Sequence, residues 1–254
     1  MRTLSLQPTF SPRATDTDLP LPFWKRSLDV ACCLLALPGL VLLTLVLTIH
    51  TKLVSPGPVI FRQERIGWKG RRFRIYKFRT MHVGADPRSH QRHVEKLIQS
   101  NAPLVKLDDR GESRLFAGSW LLRASGLDEL PQIINVLRGD MSIVGPRPCL
   151  PSEFEFYQPW QRRRCEARPG LTGLWQVSGK NRTTFLEMVR LDIRYAETVS
   201  PWLDAWIILR TVPVLLRQIH GTARSAHVTP PSPHTNPPIG DVGSQHWGDP
   251  MPGV

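Results

Sequence analysis

At 254 residues, with 41% hydrophobic and 21% charged residues, the chain has globular composition and length for one good-sized domain or a small domain with appendages, and for no more than two domains. That excludes a wholly disordered chain and a large multidomain one. Its 33 Lys+Arg against 21 Asp+Glu leave a formal charge of +12, which selects an anionic partner: nucleic acid, a phosphorylated ligand or an acidic lipid surface.

The first 22 residues are punctuated by proline and weakly patterned, and 1–22 is expected to be a disordered tail. Then comes FWKRSLDVACCLLALPGLVLLTLVLTIHTK, in which Val30 to Ile49 carries no charge. A helix of that length can cross a hydrocarbon core of roughly 30 Å. It is too long for the apolar part of a signal peptide, and no small-residue cleavage site follows it. Pro38-Gly39 near its middle removes a helical hydrogen bond and loosens the backbone, so a bend is expected. Lys25 and Arg26 before the run and His50 and Lys52 after it leave no charge asymmetry to orient a span. Two readings satisfy these residues: a helix over 23–52 that enters the membrane, turns at Pro38 and leaves by the same face, or an ordinary kinked span. Phe23 and Trp24 suit an interfacial anchor in either case.

Behind it, SPGPVIFRQERIGWKGRRFRIYKFRTM alternates like a strand around Pro58 to Phe61 and again over Phe73 to Phe78, with GWKG as a turn. That predicts a basic hairpin, equally serviceable as a polybasic patch worth about 1 kcal/mol per cation at an anionic leaflet. His93 to Gln99 reads as a short amphipathic helix, and Trp120 to Arg123 as the end of another. In LDELPQIINVLRGDMSIVGPRP, Leu127, Leu130, Ile134 and Leu137 recur at helical spacing, and Pro131 is tolerated only in a first turn. The helix should therefore begin near Asp128, with the adjacent carboxylates Asp128 and Glu129 at its N-terminus, where acids cap more often than they catalyse.

Arg147 lies between two prolines, and a guanidinium so constrained suits bidentate recognition of a phosphate. In RPGLTGLWQVSGKNR, Trp175 fits core or interface packing better than a sugar platform. A helix is expected from Thr184 to about Thr198. A second begins near Ser200-Pro201, apolar but interrupted by Arg210 and Pro213, and reads as an amphipathic helix on a membrane surface. The Pro-, Ser-, His- and Gly-rich 221–254 is expected to be disordered. The four cysteines, Cys32, Cys33, Cys149 and Cys165, form no CxxC pair, which argues against a thiolate metal site and for a reducing compartment.

Taken together, SPGPVIFRQERIG, YKFRTM, LDELPQIINVLRGDMSIVGPRP and RPGLTGLWQVSGKNR resemble the bacterial sugar transferase family, the monotopic phosphoglycosyl transferases that begin exopolysaccharide, O-antigen or glycan assembly. The resemblance covers roughly Lys25 to Leu216, and four ordered blocks are more specific than any one motif. It implies an α+β membrane-associated fold: a re-entrant helix broken at Pro38, a basic hairpin, and a small helical catalytic domain over 53–220 with surface amphipathic helices. It implies transfer of a hexose-1-phosphate, glucose or galactose by preference, from a UDP-sugar to undecaprenyl phosphate with release of UMP. The site would face the cytosol at the bacterial inner membrane.

By the same resemblance Asp128 attacks the β-phosphate to form an aspartyl-phosphosugar, and Glu129 assists with Mg²⁺, the two acids serving as its ligands. Arg147 and Arg123 hold phosphate, and Lys77 occupies a basic position beside them. The partners implied are the UDP-sugar, undecaprenyl phosphate and membrane lipid, with no nucleic acid; a homo-oligomer stays open. A carboxylate nucleophile needs no deprotonation at neutral pH, and its approach to a diphosphate requires metal and arginine to neutralise charge.

Two positions depart from the family pattern: Ser125-Gly126-Leu127 stands where many members read Thr-Ser-Leu, and Glu112-Ser113-Arg114 where they read Asp-Pro-Arg. Both bear on donor choice more than on activity. Without the N-terminal multi-span region of larger relatives, the chain is expected to be a minimal catalytic core with tails. The rival reading is a non-catalytic, membrane-attached basic scaffold for an acidic polymer. It rests on the +12 charge and is weakened because the basic residues scatter among prolines and glycines instead of striping one helix.

Overall fold

The uncharged run is carried in one helix, α1 (Phe23–Val54), with Pro38 inside it and on its exposed side. The computed structural model describes residues 21–54, 57–82, 119–179 and 182–226, together with 96, 97, 100, 103, 115 and 116. The expected tails before residue 21 and after 226, most of the expected helix from His93 to Gln99, and the Glu112-Ser113-Arg114 departure lie outside the described residues. Among the described residues α1 is the helix long and apolar enough to cross a membrane. It presents Leu35, Val41, Leu42, Leu45 and Leu53 outward while Cys33, Leu40 and Leu47, spaced by seven, pack into the domain. The chain is thus a mixed helix and strand protein with a membrane-compatible N-terminal helix.

Both ends of α1 meet the domain that follows. At its start Lys25 is 3% exposed, and its ammonium reaches three acceptors: Val144 O at 3.0 Å, Tyr195 Oη at 2.9 Å and Asp204 Oδ2 at 2.6 Å. An ammonium has three N–H donors, so this one is fully satisfied. Tyr195 in turn donates to Asp204 Oδ1 at 2.7 Å; burial and the Asp204 carboxylate raise its pKa and keep it a donor. Next to it Arg26 donates to the carbonyls of Val136 and Leu137, and one turn on Asp29 accepts from Ser142 Oγ and the Ile143 N–H. At the far end the His50 ring lies 6.1 Å from that of Phe116.

Strands β1 (Ile60–Ile66) and β2 (Arg72–Phe78) pair antiparallel in the register Phe61↔Lys77 and Arg65↔Phe73. The first strand is longer than its expected core of Pro58 to Phe61, because pairing continues through the charged Arg62–Arg65 stretch, where apolar alternation gives no signal. A 3-10 turn over Trp68–Gly70 joins them, with Lys69 at φ +54.

Helix α2 (Ser119–Ser125) leads through Gly126, left-handed at φ +73, into a 3-10 turn over Leu127–Gln132 and helix α3 (Ile133–Arg138). Short strand β3 (Ser142–Val144) pairs in parallel with β4 (Gly170–Thr172). Between them lie α4 (Pro151–Glu155) and a 3-10 turn over Gln161–Glu166. After β4 come α5 (Leu174–Val177), α6 (Phe185–Thr198) and α7 (Pro201–Ala226). Helix α6 starts where Thr184 and Glu187 form a capping box. Pro213 does not end α7 as its sequence suggests, and the helix runs past residue 221 into the expected tail.

The core has two main parts. Cys33, Leu40 and Leu47 of α1 pack with Ile75, Phe78, Leu122, Ile133, Val136 and Met141; Ile66, Cys149, Tyr157, Trp175, Phe185 and Met188 form the other. Trp175 is buried with its Nε1 donating to Thr183 Oγ1 at 2.6 Å, a packing role.

Removing one member of a buried ion pair strands its partner in low dielectric, at a cost of about 3–5 kcal/mol. Lys25→Ala should therefore lower the Tm of the detergent-extracted protein sharply. Phe23→Ala, at a position 88% exposed, should leave Tm unchanged. Differential scanning fluorimetry on the two variants checks this.

Candidate active site

Asp128 and Glu129 tolerate each other because the backbone sends them different ways. The Glu129 N–H donates to Gly126 O at 3.0 Å, closing a 3-10 turn, and at three residues per turn neighbours diverge by about 120°. Asp128 faces inward, 9% exposed, on the side that also buries Pro131. Glu129 faces outward, its side chain 41% exposed, and Lys77 Nζ meets its Oε1 at 2.5 Å. The acids are at a helix start, as expected, but a tight 3-10 one that precedes the α-helix.

Two further elements supply cations. Lys77 comes from β2, and just past the end of that strand Thr80 Oγ1 accepts from Arg123 Nη1 at 3.3 Å, placing the last turn of α2 beside it. Lys77, Arg123 and the acid pair thus share one neighbourhood. Pro38 lies on the exposed side of α1.

Arg147 lies on a separate corner with little freedom. The Gly145 N–H donates to Thr172 O and the Gly170 N–H to Pro146 O, both at 2.9 Å. A Cβ at Gly145 would overlap the Arg168 carbonyl, so glycine is required there for the strands to approach. From behind, Arg164 donates to Arg147 O at 3.0 Å and to Tyr157 Oη at 2.7 Å, and its guanidinium pairs with Asp192. Both partners are essentially inaccessible. Burial pushes the Asp192 carboxyl up to about 6, against the pull of Arg164. The Arg147 backbone is therefore held while its side chain stays half-buried.

Sequence reasoning passed over two of these groups. The Arg164–Asp192 pair spans 28 residues and has no local signature. Arg65 does have one. Residues paired across the ribbon share a face, so Phe61, Gln63 and Arg65 lie with Lys77, Ile75 and Phe73. The expected strand stopped at Phe61 and hid this. Arg65 is 6% exposed, and its Nη1 reaches Pro148 O at 3.3 Å while Nη2 reaches Gln63 Oε1 at 2.9 Å. Next to it the Ile66 N–H donates to Cys149 O at 2.9 Å, fastening the ribbon to the Arg147 corner. Burial, then the neighbouring Arg147, bring the Arg65 pKa down to about 10, with Glu153 and Glu129 among the groups opposing. One ribbon face thus runs from the acid pair at Lys77 to the corner at Arg65, about 13 Å at ~3.3 Å per residue.

Among the described residues no three or more His, Cys, Asp or Glu side chains cluster as metal ligands. Asp128 and Glu129 are the carboxylates to hand for a cation, but they point apart and Glu129 is engaged by Lys77, so a Mg²⁺ bound there would complete its shell mainly with water and phosphate oxygens.

The model of the family described as bacterial sugar transferase matches residues 21–218, most of the chain. The chain belongs to the bacterial sugar transferase family. It is 43% identical over 200 residues to the UDP-glucose:undecaprenyl-phosphate glucose-1-phosphate transferase of Caulobacter vibrioides, covering 76% of this chain and 69% of that one. It is 43% identical over 195 residues to the galactosyl transferase CpsE of Streptococcus agalactiae, but spans only 42% of that protein. With the exopolysaccharide production protein ExoY of Sinorhizobium fredii the match is 36% over 214 residues, 81% of this chain and 92% of that one. All four motif blocks of this sugar transferase lie inside the family match.

Because Arg164 and Asp192 are both buried, Arg164→Met alone should cost this sugar transferase about 3–5 kcal/mol by stranding the carboxylate. Arg164→Met with Asp192→Leu should recover most of that loss. Thermal unfolding of the two single variants and the double variant measures the coupling.

Proposed function

We propose that this sugar transferase moves a sugar-1-phosphate, glucose-1-phosphate or galactose-1-phosphate, from a UDP-sugar to undecaprenyl phosphate. That would be the first membrane step of an exopolysaccharide or related glycan. The observation that carries the reading is the divergent acid pair: Asp128 is buried beside Glu129, Glu129 is already neutralised by Lys77, and the chain belongs to a family with relatives named for this reaction.

In this mechanism a carboxylate oxygen of Asp128 attacks the β-phosphorus of the UDP-sugar. The bond from that phosphorus to the bridging oxygen breaks, and UMP leaves with the electron pair. An oxygen of undecaprenyl phosphate then attacks the same phosphorus and displaces Asp128, which regains its carboxylate. Two displacements at one site let a water-soluble donor and a lipid acceptor use it in turn. Lys77 offsets the charge of Glu129 and lowers the field that would repel a diphosphate. Arg123 and Arg147 reach the phosphates from two sides, Arg147 without reorganising because its backbone is already held. Mg²⁺, held by Asp128 and Glu129, would supply neutralisation of charge on the phosphoryl oxygens.

For the membrane we propose that α1 dips into one leaflet and returns, with the domain on the cytosolic face of the inner membrane where nucleotide sugars are made. The support is that Lys25 and His50, near opposite ends of α1, both contact residues of the soluble domain. The exposed Trp202, Trp206 and Leu209 of α7 and Trp120 and Leu121 of α2 would add interfacial contact.

Two experiments test these readings. With UDP-glucose or UDP-galactose, undecaprenyl phosphate and Mg²⁺, the extracted protein should release UMP, and EDTA should stop it. Asp128→Asn should abolish release, and Lys77→Ala should cut kcat/KM about 10²-fold; wild-type turnover by Asp128→Asn would refute the assigned nucleophile. Separately, cysteines introduced as Phe23→Cys and Leu53→Cys should both react with an impermeant maleimide in inverted vesicles and neither in intact cells. Labelling of the two from opposite faces would establish a span.

A further inference from the structure

Arg65 is an anomaly of charge burial. It is 6% exposed, and its partners are a backbone carbonyl and an amide oxygen, with no carboxylate within ion-pair distance among the described residues. Its Nε is buried with no hydrogen-bond partner, and so is Oε1 of the nearby Glu153. A buried cation left without a pair costs several kcal/mol, and well-packed apolar residues of similar volume are commonly more stable in its place. The surroundings do not cancel it. Arg65, Arg147 and Arg164 are met by Glu153 and Asp192, and Asp192 is taken up by Arg164; Glu129 also acts on Arg65 but is already paired with Lys77. The corner where Arg147 emerges is left with one cation more than it has carboxylates.

We propose that Arg65 is a positioning residue for Arg147, its buried guanidinium biasing the Arg147 side chain outward and adding the field that holds a phosphoryl anion on the Gly145–Pro148 corner. Like charges repel most where water is excluded, so the cheapest arrangement of two neighbouring guanidiniums sends the less buried one toward solvent or toward an anion. Arg65 also grips Pro148 O, one residue past Arg147, and so helps set the backbone from which that side chain extends. The stability given up by burying Arg65 is recovered when an anion binds. This inference rests on the transferase reading only for the identity of the anion, a phosphoryl group from either a nucleotide diphosphate or a lipid monophosphate.

The test is equilibrium binding by the full chain in detergent, with inorganic pyrophosphate, UDP and a short-chain prenyl phosphate as probes. Wild type, Arg65→Met and Arg65→Lys are compared, and Tm is measured on each. Arg65→Met should weaken anion binding about tenfold, or about 1.4 kcal/mol, while Tm stays the same or rises; Arg65→Lys should regain part of the affinity. A structural arginine would behave in the opposite way, losing Tm and keeping affinity. Loss with pyrophosphate and UDP identifies the donor diphosphate as the anion, and loss confined to prenyl phosphate identifies the acceptor. Unchanged affinity for all three probes overturns the proposal, as does a loss accompanied by a lower Tm that Arg65→Lys does not repair. No turnover is required, so a protein inactive in UMP release can still pass this test, and an active one can fail it.

Discussion

A buried charge has to be matched, and the Lys25 ammonium is where this constraint shapes the most of the molecule. Its three acceptors come from β3, α6 and α7, so a single side chain near the start of the apolar helix gathers three separate elements. Membrane helices as apolar as α1 have little hydrophobic reason to prefer one orientation against a soluble domain. A fully hydrogen-bonded ammonium supplies one, because any other docking leaves Lys25 or Asp204 unpaired in low dielectric. Arg26 and Asp29 add hydrogen bonds to the domain along the first turns, which makes the register of α1 against it specific.

The same constraint organises the active region. Two adjacent carboxylates would repel if they shared a direction, and the 3-10 turn after Gly126 parts them. Glu129 then takes its cation from β2, and Asp128 is enclosed. The Arg164–Asp192 pair sits behind the Arg147 corner and holds its carbonyl, so a compensated pair anchors the backbone that carries a half-buried cation. Arg65 departs from strict matching beside the Arg147 corner, and among the described residues Asp29 and Glu153 are likewise buried without an ion pair. In proteins such exceptions concentrate where a ligand's charge completes the balance.

Much of the fold was legible locally. The capping box at Thr184, the proline at the head of α7, the uncharged run of α1 and the helical spacing after Leu127 all announce themselves within a few residues, since caps and periodicity act at short range. Where local signals failed, neighbours outweighed them. Strand β1 extends through charged residues because β2 lies alongside, and Pro213 is carried inside α7 because the flanking turns keep the helix intact.

By itself the sequence determined the residue types of the candidate site and their order. An acid pair beside a proline-marked turn, an arginine between prolines, a basic ribbon and the glycine-punctuated stretch around Trp175 make up the four blocks, specific enough together to identify the family. Tertiary structure alone decided which cation meets which acid. Lys77 lies 52 residues from Glu129, Arg164 lies 28 from Asp192, and Lys25 lies 179 from Asp204. Such pairs leave no trace in local pattern, because electrostatic energy depends on distance and burial in the folded chain, and neither is a property of a short stretch of residues.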